Sequence, residues 1–297
     1  MSFKISYAQN REDVIIEGFF TGIGKGFYVD IGANDPDEDS VTKLFYEKGW
    51  HGINIEPIKD KFNKLQLKRV NDKNLNIGLS DVPGMLAFRE YAGHGLSTFS
   101  SEIKREHEKN LNDNVSEYVD VSLSVDTLEN ILDRYKVKHI HFMKIDVEGF
   151  ENEVLKGNNW AKYRPELICI EANHIKNDWR PYLLAQNYTL VFHDGLNAYY
   201  IRNESMARAN TFSYAEHMLT GPQLIKWTVN REFESIIKTY KNDSAILQKN
   251  IDDMQEKHLE LYKTFKELEE THKRSLLSKQ LFSNLIKNLT ETFKTRH

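Results

Sequence analysis

The stretch GKGFYVDIGANDPDEDS, Gly24 to Ser40, decides the reading of this chain. Phe27, Tyr28, Val29 and Ile31 form an apolar, strand-like run that carries one carboxylate, Asp30, and stops at Gly32. A charge near the end of an apolar strand, followed by glycine and a turn, marks the ligand side of an open α/β sheet, where ligands settle beyond the carboxyl ends of the strands. Gly32 lets backbone approach a ligand closely, and Asn34 and Asp35 suit the turn. No GxGxxG follows the strand, which disfavours a pyrophosphate cradle. The glycines of GIGKG precede the strand and read as a turn.

Working outward, short apolar runs alternate with amphipathic stretches up to about Glu204. FYVDI, HGINIE, NLNIGLS, YVDVSLSVD, HIHFMKID, ELICIEA and TLVFHD read as strands. DSVTKLFYEKGW (with Ser40 as N-cap), LENILDRYKV, FENEVLKG and DWRPYLLAQ read as helices. Strands alternating with helices predict an α/β fold with a doubly wound, mostly parallel, Rossmann-like sheet.

Three further strand ends carry polar residues. GINIEP ends in Glu56, an acid suited to a ribose diol because one carboxylate accepts two hydroxyl hydrogens. The third strand ends in Leu79-Ser80-Asp81, a polar tip that could meet an adenine. HFMKIDVEGFE reads as a strand running to Gly149, with Lys144, Asp146 and Glu148 at alternate positions. Three charges on an apolar strand are costly to bury without partners, so the set reads as a site. A nucleoside held by carboxylates, with no phosphate loop, points to S-adenosylmethionine.

VDIGANDP, GINIEP, NIGLSD, GLST, KIDVEGFENEVLKG, IEA and DGLNAYYI together resemble the FkbM family of S-adenosylmethionine-dependent methyltransferases, in order from about Ser6 to Glu204. The resemblance implies that Asp30, Gly32 and Asn34 line the methionine and sugar part of the cofactor, Glu56 its ribose, and Ser80 and Asp81 its adenine. It also implies that Asp146 faces the methionine amino group and that Gln9, Glu12 and Asp13 fold over the pocket. The implied reaction is O-methylation of a hydroxyl, commonly on a sugar, here in a bacterial surface polysaccharide or glycan. Other readings are a catalytically idle scaffold and a methyltransferase of a non-carbohydrate acceptor.

Methyl transfer from a sulfonium needs an aligned acceptor oxygen and removal of its proton. Lys144, Asp146, Glu148 and Asp194 are the candidate catalytic residues, with Glu171, His174, His193 and His94 as further polar candidates. His174 and His193 stand where the sequence departs from the family pattern. Asp146, Glu148 and Glu171 could jointly hold Mg²⁺, a secondary option.

The 297 residues are 28% charged with a net charge of −4, so no overall basic character points to nucleic acid. The single cysteine, Cys169, cannot pair within the chain, and its LICI setting suggests a buried thiol in a reducing cytosol. The start, MSFKISYAQNRED, has no leader pattern, so a cytoplasmic location is expected, with peripheral attachment to the inner membrane face as an option.

Beyond Glu204 the character changes. The methyltransferase domain is expected over 1–205, a helical linker over 206–230 and a coiled coil over 231–297. Phe233, Tyr240, Leu247, Met254, Leu261 and Leu268 form a d seam, while Ile237, Ser244, Ile251, His258, Phe265 and His272 occupy a. That pattern predicts a homo-oligomer, dimer or trimer. The last stretch, with Leu277, Leu281, Leu285, Leu289 and Phe293 on one face and Lys279, Lys287, Lys294 and Arg296 among its charges, reads as a basic amphipathic helix. It would pack within the oligomer, on an anionic membrane or on a polysaccharide-assembly partner.

Overall fold

The computed structural model describes residues 4–91, 96–110, 118–172, 179–208, 224–226 and 262–263. Contacts divide the chain into two units, Met1–Asn230 and Arg231–His297. The strands of the first unit are, in chain order, β1 (Lys4–Ser6), β2 (Phe27–Ile31), β3 (His51–Ile55), β4 (Lys73–Leu75), β5 (Gly78–Leu79), β6 (Gly84–Tyr91), β7 (Tyr118–Asp126), β8 (Phe142–Ile145), β9 (Leu167–Glu171), β10 (Tyr188–His193), β11 (Asn197–Arg202) and β12 (Leu224–Lys226). Its helices are α1 (Glu12–Phe19), α2 (Lys43–Glu47), α3 (Lys59–Lys68), α4 (Ser101–Asn110), α5 (Leu128–Arg134), α6 (Glu151–Lys156) and α7 (Arg180–Ala185).

Seven strands make the main sheet in the order β4-β3-β2-β8-β9-β11-β10. The first five are mutually parallel and β11 runs antiparallel to both its neighbours. Central parallel strands are buried on both faces and therefore read as near-continuous apolar runs, as FYVDI does. Val29, Ile31, Met143, Ile145, Ile168 and Ile170 point to the core shared with α5, α6 and α7. Tyr28, Phe142, Leu167 and Cys169 point to the opposite core, shared with α1 and α2. Helices thus cover both faces. From β2 the chain works outward through β3 to β4, then returns to β8 on the other side of β2. The reversal of order opens a crevice between β2 and β8, the topological switch point of such sheets.

A second sheet, β5-β7-β6, is built from the segment between β4 and α5, with β5 parallel and β6 antiparallel to β7. Strand β1 pairs in parallel with β12.

Four expectations are corrected. NLNIGLS is two strands in two sheets, because the chain leaves the main sheet at Asn76, whose amide donates to the carbonyls of Glu56 (3.0 Å) and Pro57 (2.8 Å). Strand β8 stops at Ile145, so Asp146 and Glu148 lie on a loop, where Glu148 takes φ 51° and Gly149 φ 85°. Ser40 does not cap a helix. Its hydroxyl accepts from Arg69 (3.0 Å), and α2 starts only at Lys43. The expected alternation also omitted β1, β6, β11, β12, α1, α3 and α4.

Among the described residues no helix is long and apolar enough to cross a membrane. The heptad segment and the basic terminal stretch lie outside the described residues, apart from Tyr262 and Lys263, which are helical.

Candidate active site

The loop after β2 is shaped by Gly32. Its φ is +72°, and a Cβ there would lie 1.9 Å from the carbonyl oxygen of Asp146. Only glycine allows the loops after β2 and β8 to pass this closely. Two residues on, Asn34 takes φ 51° and donates its backbone N–H to Glu56 Oε2 at 2.8 Å. The other Glu56 oxygen accepts from the backbone N–H of Ile58 at 2.7 Å. Glu56, which follows β3, therefore ties the loop after β2 to the one after β3. Its carboxyl is 3% exposed, and burial pushes its pKa up to about 7 against the backbone hydrogen bonds that favour the charge.

Asp30 behaves differently. Strand register sets Asn74, Asn54, Asp30, Lys144 and Cys169 side by side across β4, β3, β2, β8 and β9, on the face toward α1 and α2. Asp30 Oδ2 accepts from the Thr42 hydroxyl at 2.7 Å, and Oδ1 lies 3.6 Å from the Lys144 ammonium. Lys144 donates to the Gly32 carbonyl at 2.6 Å and lies 3.2 Å from Asp146. Desolvation works against the buried ammonium, but Asp146 and Asp30 outweigh it and hold the Lys144 pKa above the ordinary lysine value. Lys144 keeps its proton, so it fixes loop geometry and cannot act as a base.

The cleft beyond β2, β3 and β8 has about 650 Å³ of empty space, counted to its open mouth. Gly32, Asn34, Glu56, Asp146 and Glu148 line it together with Ile55, Ile58, Ile77, Leu79, Phe88, Phe99 and Phe150. The rings of Phe88 and Phe99 meet at 4.5 Å, and those of Phe99 and Phe150 at 5.6 Å. The loop bearing Asp146 and Glu148 is pinned from two sides. Thr98, wholly buried, donates its hydroxyl to the Glu148 carbonyl at 2.7 Å. Glu151 accepts from the N–H groups of Val147 (3.2 Å) and Gly149 (3.1 Å).

Carboxylate oxygens of Asp146, Glu148 and Glu171 lie within 4.8 Å of one another. Burial and then the neighbouring charges of Asp146, Glu148 and Glu151 drive the Glu171 carboxyl far up, and it is hydrogen-bonded to Asp146. An oxygen-only set of this kind is of a type that can hold Mg²⁺.

Other residues singled out from the sequence lie off the lining of this cleft. Ser80 is buried with its hydroxyl on Asp81 Oδ1 (3.1 Å), and Asp81 is exposed; the residues before them, Ile77 to Leu79, line the cleft instead. Gln9 is exposed. Asp13, fully buried, accepts from the Ser6 hydroxyl (2.6 Å) and the Tyr7 N–H (2.7 Å) and so anchors β1 to α1. Glu12 accepts from Asn197 (2.7 Å) and the Asn10 N–H (2.8 Å). Asp194 holds the β10–β11 turn, accepting from the N–H of Asn197 (2.6 Å) and the Tyr199 hydroxyl (2.6 Å). His193 is exposed, and its Nδ1 accepts from the Gly195 N–H at 3.0 Å. His94 and His174 lie outside the described residues.

Sequence reasoning did not single out Phe88, Phe99, Phe150, Thr98 or Glu151. Thr98 and Glu151 do stand inside the GLST and KIDVEGFENEVLKG motifs, and the two N–H groups that Glu151 collects sit at offsets the motif itself displays. A family model described as Methyltransferase FkbM domain matches residues 30–190. No curated protein matches the chain.

Proposed function

The chain belongs to the FkbM methyltransferase family, and from that premise we propose that it is an S-adenosylmethionine-dependent O-methyltransferase acting on a hydroxyl of a sugar. The observation that carries this reading is the cleft itself, which brings one buried acid, Glu56, together with Asp146 and Glu148 among apolar walls. The donor set fits the cofactor. Each Glu56 oxygen accepts one backbone N–H and keeps a lone pair for a ribose hydroxyl. Ile55, Ile58, Ile77 and Leu79 offer flat apolar contact for an adenine, and Asp146 and Glu148 offer negative charge for an ammonium.

When bound, the cofactor supplies an activated methyl group. The chain's own task is to orient the acceptor and take its proton. With Glu56 assigned to the ribose, Asp146 and Glu148 are the remaining cleft carboxylates placed to accept from an acceptor hydroxyl. Converging carboxylates also suit the several hydroxyls of a sugar, which favours a carbohydrate such as a surface polysaccharide or glycan precursor. Mg²⁺ held by Asp146, Glu148 and Glu171 stays secondary, because the Lys144 ammonium already faces Asp146 at 3.2 Å. The working arrangement is a cytoplasmic homo-oligomer joined through residues 231–297, with a peripheral membrane or polysaccharide-assembly partner as its further contact.

Calorimetry with the cofactor and its demethylated product tests the first half. Glu56→Ala should weaken binding by about 2–3 kcal/mol, the size of a lost charge-assisted hydrogen-bond pair. Methyl transfer to a panel of sugars tests the second. A wild-type chain that binds neither form of the cofactor would overturn the reading.

A further inference from the structure

The parallel strands β2, β3, β4 and β8 have a second end, opposite the cleft, and a groove lies along it. It has about 770 Å³ of empty space, counted to its open mouth. Its lining comes from the residues that start β2, β3 and β4 and from the segment leading into β8. Lys73, Lys136 and Lys138 line it together with the rings of Phe27, His51 and Tyr135. Among the described residues, no carboxylate lines it.

The groove gathers three lysines that, among the described residues, no carboxylate neutralises, whereas several other lysines of the unit are ion-paired. Elsewhere Lys43, Lys48, Lys61, Lys64, Lys68, Lys144 and Lys162 each meet a carboxylate. Among the described residues, none of the three groove lysines makes an ion pair with a carboxylate. Nearby acids are already engaged. Asp72 turns inward, accepting from the Tyr28 hydroxyl (2.7 Å), the Gly52 N–H (2.8 Å) and Asn54 (2.9 Å). Asp133 is taken by Lys162 and the Tyr163 hydroxyl. Glu166 faces His139 at 2.9 Å, with Arg202 (3.8 Å) and Arg208 (3.7 Å) close by. Three ammonium groups around one concave surface raise the local positive potential, although the chain as a whole is acidic. The rings add flat surfaces, with Phe27 and His51 meeting edge to face at 5.4 Å.

Lysines present mobile point charges that suit phosphate oxygens, and aromatic faces suit a stacked ring. We propose that this groove is a second ligand site, taking a small phosphorylated molecule that carries a planar ring, of the nucleoside-diphosphate class. The site is independent of the cofactor cleft, since it uses the other ends of the same strands. A ligand there would touch the first residues of β2, β3 and β4 and leave the loops of Gly32, Glu56 and Asp146 clear.

The test is calorimetric titration of the full chain with uridine diphosphate and, separately, with inorganic pyrophosphate. Uridine avoids the adenine preference expected of the cleft. Uridine diphosphate should bind more tightly than pyrophosphate, and its affinity should fall as salt is raised. The triple variant Lys73→Glu, Lys136→Glu, Lys138→Glu should bind it at least about 10-fold more weakly, because three exposed charges are reversed at once. Its unfolding midpoint should match the wild type, and the triple glutamine variant, which reverses no charge, stands in if it does not. Binding that survives the lysine substitutions would overturn the site. Equal affinity for pyrophosphate would overturn the ring contact, and a wild type that binds only anionic vesicles would overturn the small-molecule assignment.

Discussion

Lys144→Met separates the structural function of the buried ion cluster from the chemistry of the cleft. Lys144 is 9% exposed and Asp30 only 2%. Methionine matches the length of the lysine stem but removes three interactions: the 2.6 Å bond to the Gly32 carbonyl and the approaches to Asp146 (3.2 Å) and Asp30 (3.6 Å). Asp146 is about a third exposed and is re-solvated cheaply. Asp30 is not, and it is left with the Thr42 hydroxyl against its full desolvation cost. Removing one partner of a buried pair costs about 3–5 kcal/mol, mostly as the stranded charge of the other. The substitution should therefore lower unfolding free energy by about that amount in urea titration. Asp30→Asn in the same background keeps an acceptor for Thr42 and removes the stranded charge. It should return much of the loss, with a coupling on the order of 1–3 kcal/mol. A Lys144→Met cost under about 1 kcal/mol, or strict additivity with Asp30→Asn, would refute the reasoning that the pair is a structural unit.

Two other outcomes are expected, one from the cleft and one from the sequence of the C-terminal segment. Glu56 releases its proton near 4.5 when unfolded and near 7 when folded, so the folded state holds the extra proton between those values and its stability from this group falls as pH rises from about 4.5 to 7. The stability of wild type minus Glu56→Gln should thus shift toward the wild type on acidification through that window, and a difference that stays level in urea titrations across it would remove the buried-acid account. The apolar d seam from Phe233 to Leu268 should hold two or three chains together, each buried Leu or Phe contributing about 1.5–3 kcal/mol; light scattering should find the full chain oligomeric and a truncation after Asn230 monomeric, and a monomeric full chain at micromolar concentration would exclude the seam.

What could be read in the sequence follows burial. FYVDI and HGINI stand out because central parallel strands need apolar residues on both faces, and Gly32 stands out because a close crossing permits no side chain. Helix α1 was hidden by the same logic in reverse. Its first turn begins with Glu12 and Asp13, which look like solvated acids, yet both are buried and their pKa values are raised by that burial to about 7 and about 6. Strand β6 was hidden because Arg89 interrupts it, and the cation is neutralised only by Asp120 and Glu108 from β7 and α4. No local window contains those partners.

The division of the acids is a still less local matter. Asp30, Glu56, Asp146 and Glu148 all sit at or just past strand ends, and spacing alone treats them as one set. Register separates them. Asp30 lies beside Lys144 on paired strands, one residue before the last of β2, and so falls into the layer between the sheet and α2. Glu56 and Asp146 lie one residue beyond the last residue of their strands and so reach the cleft. Glu56 and Asp146 thus stand two positions beyond the level of Asp30, an even offset that keeps the alternation, so it is the end of the paired strand and not a change of face that separates an acid supporting the sheet from one facing a ligand. Asp30→Asn with Lys144 intact carries that distinction into an assay. If Asp30 belongs to the support, the variant should lose stability and keep its cofactor affinity to within about 3-fold, since no cleft contact is removed. A collapse of affinity in a variant that unfolds at the wild-type urea midpoint would move Asp30 back among the ligand-facing acids.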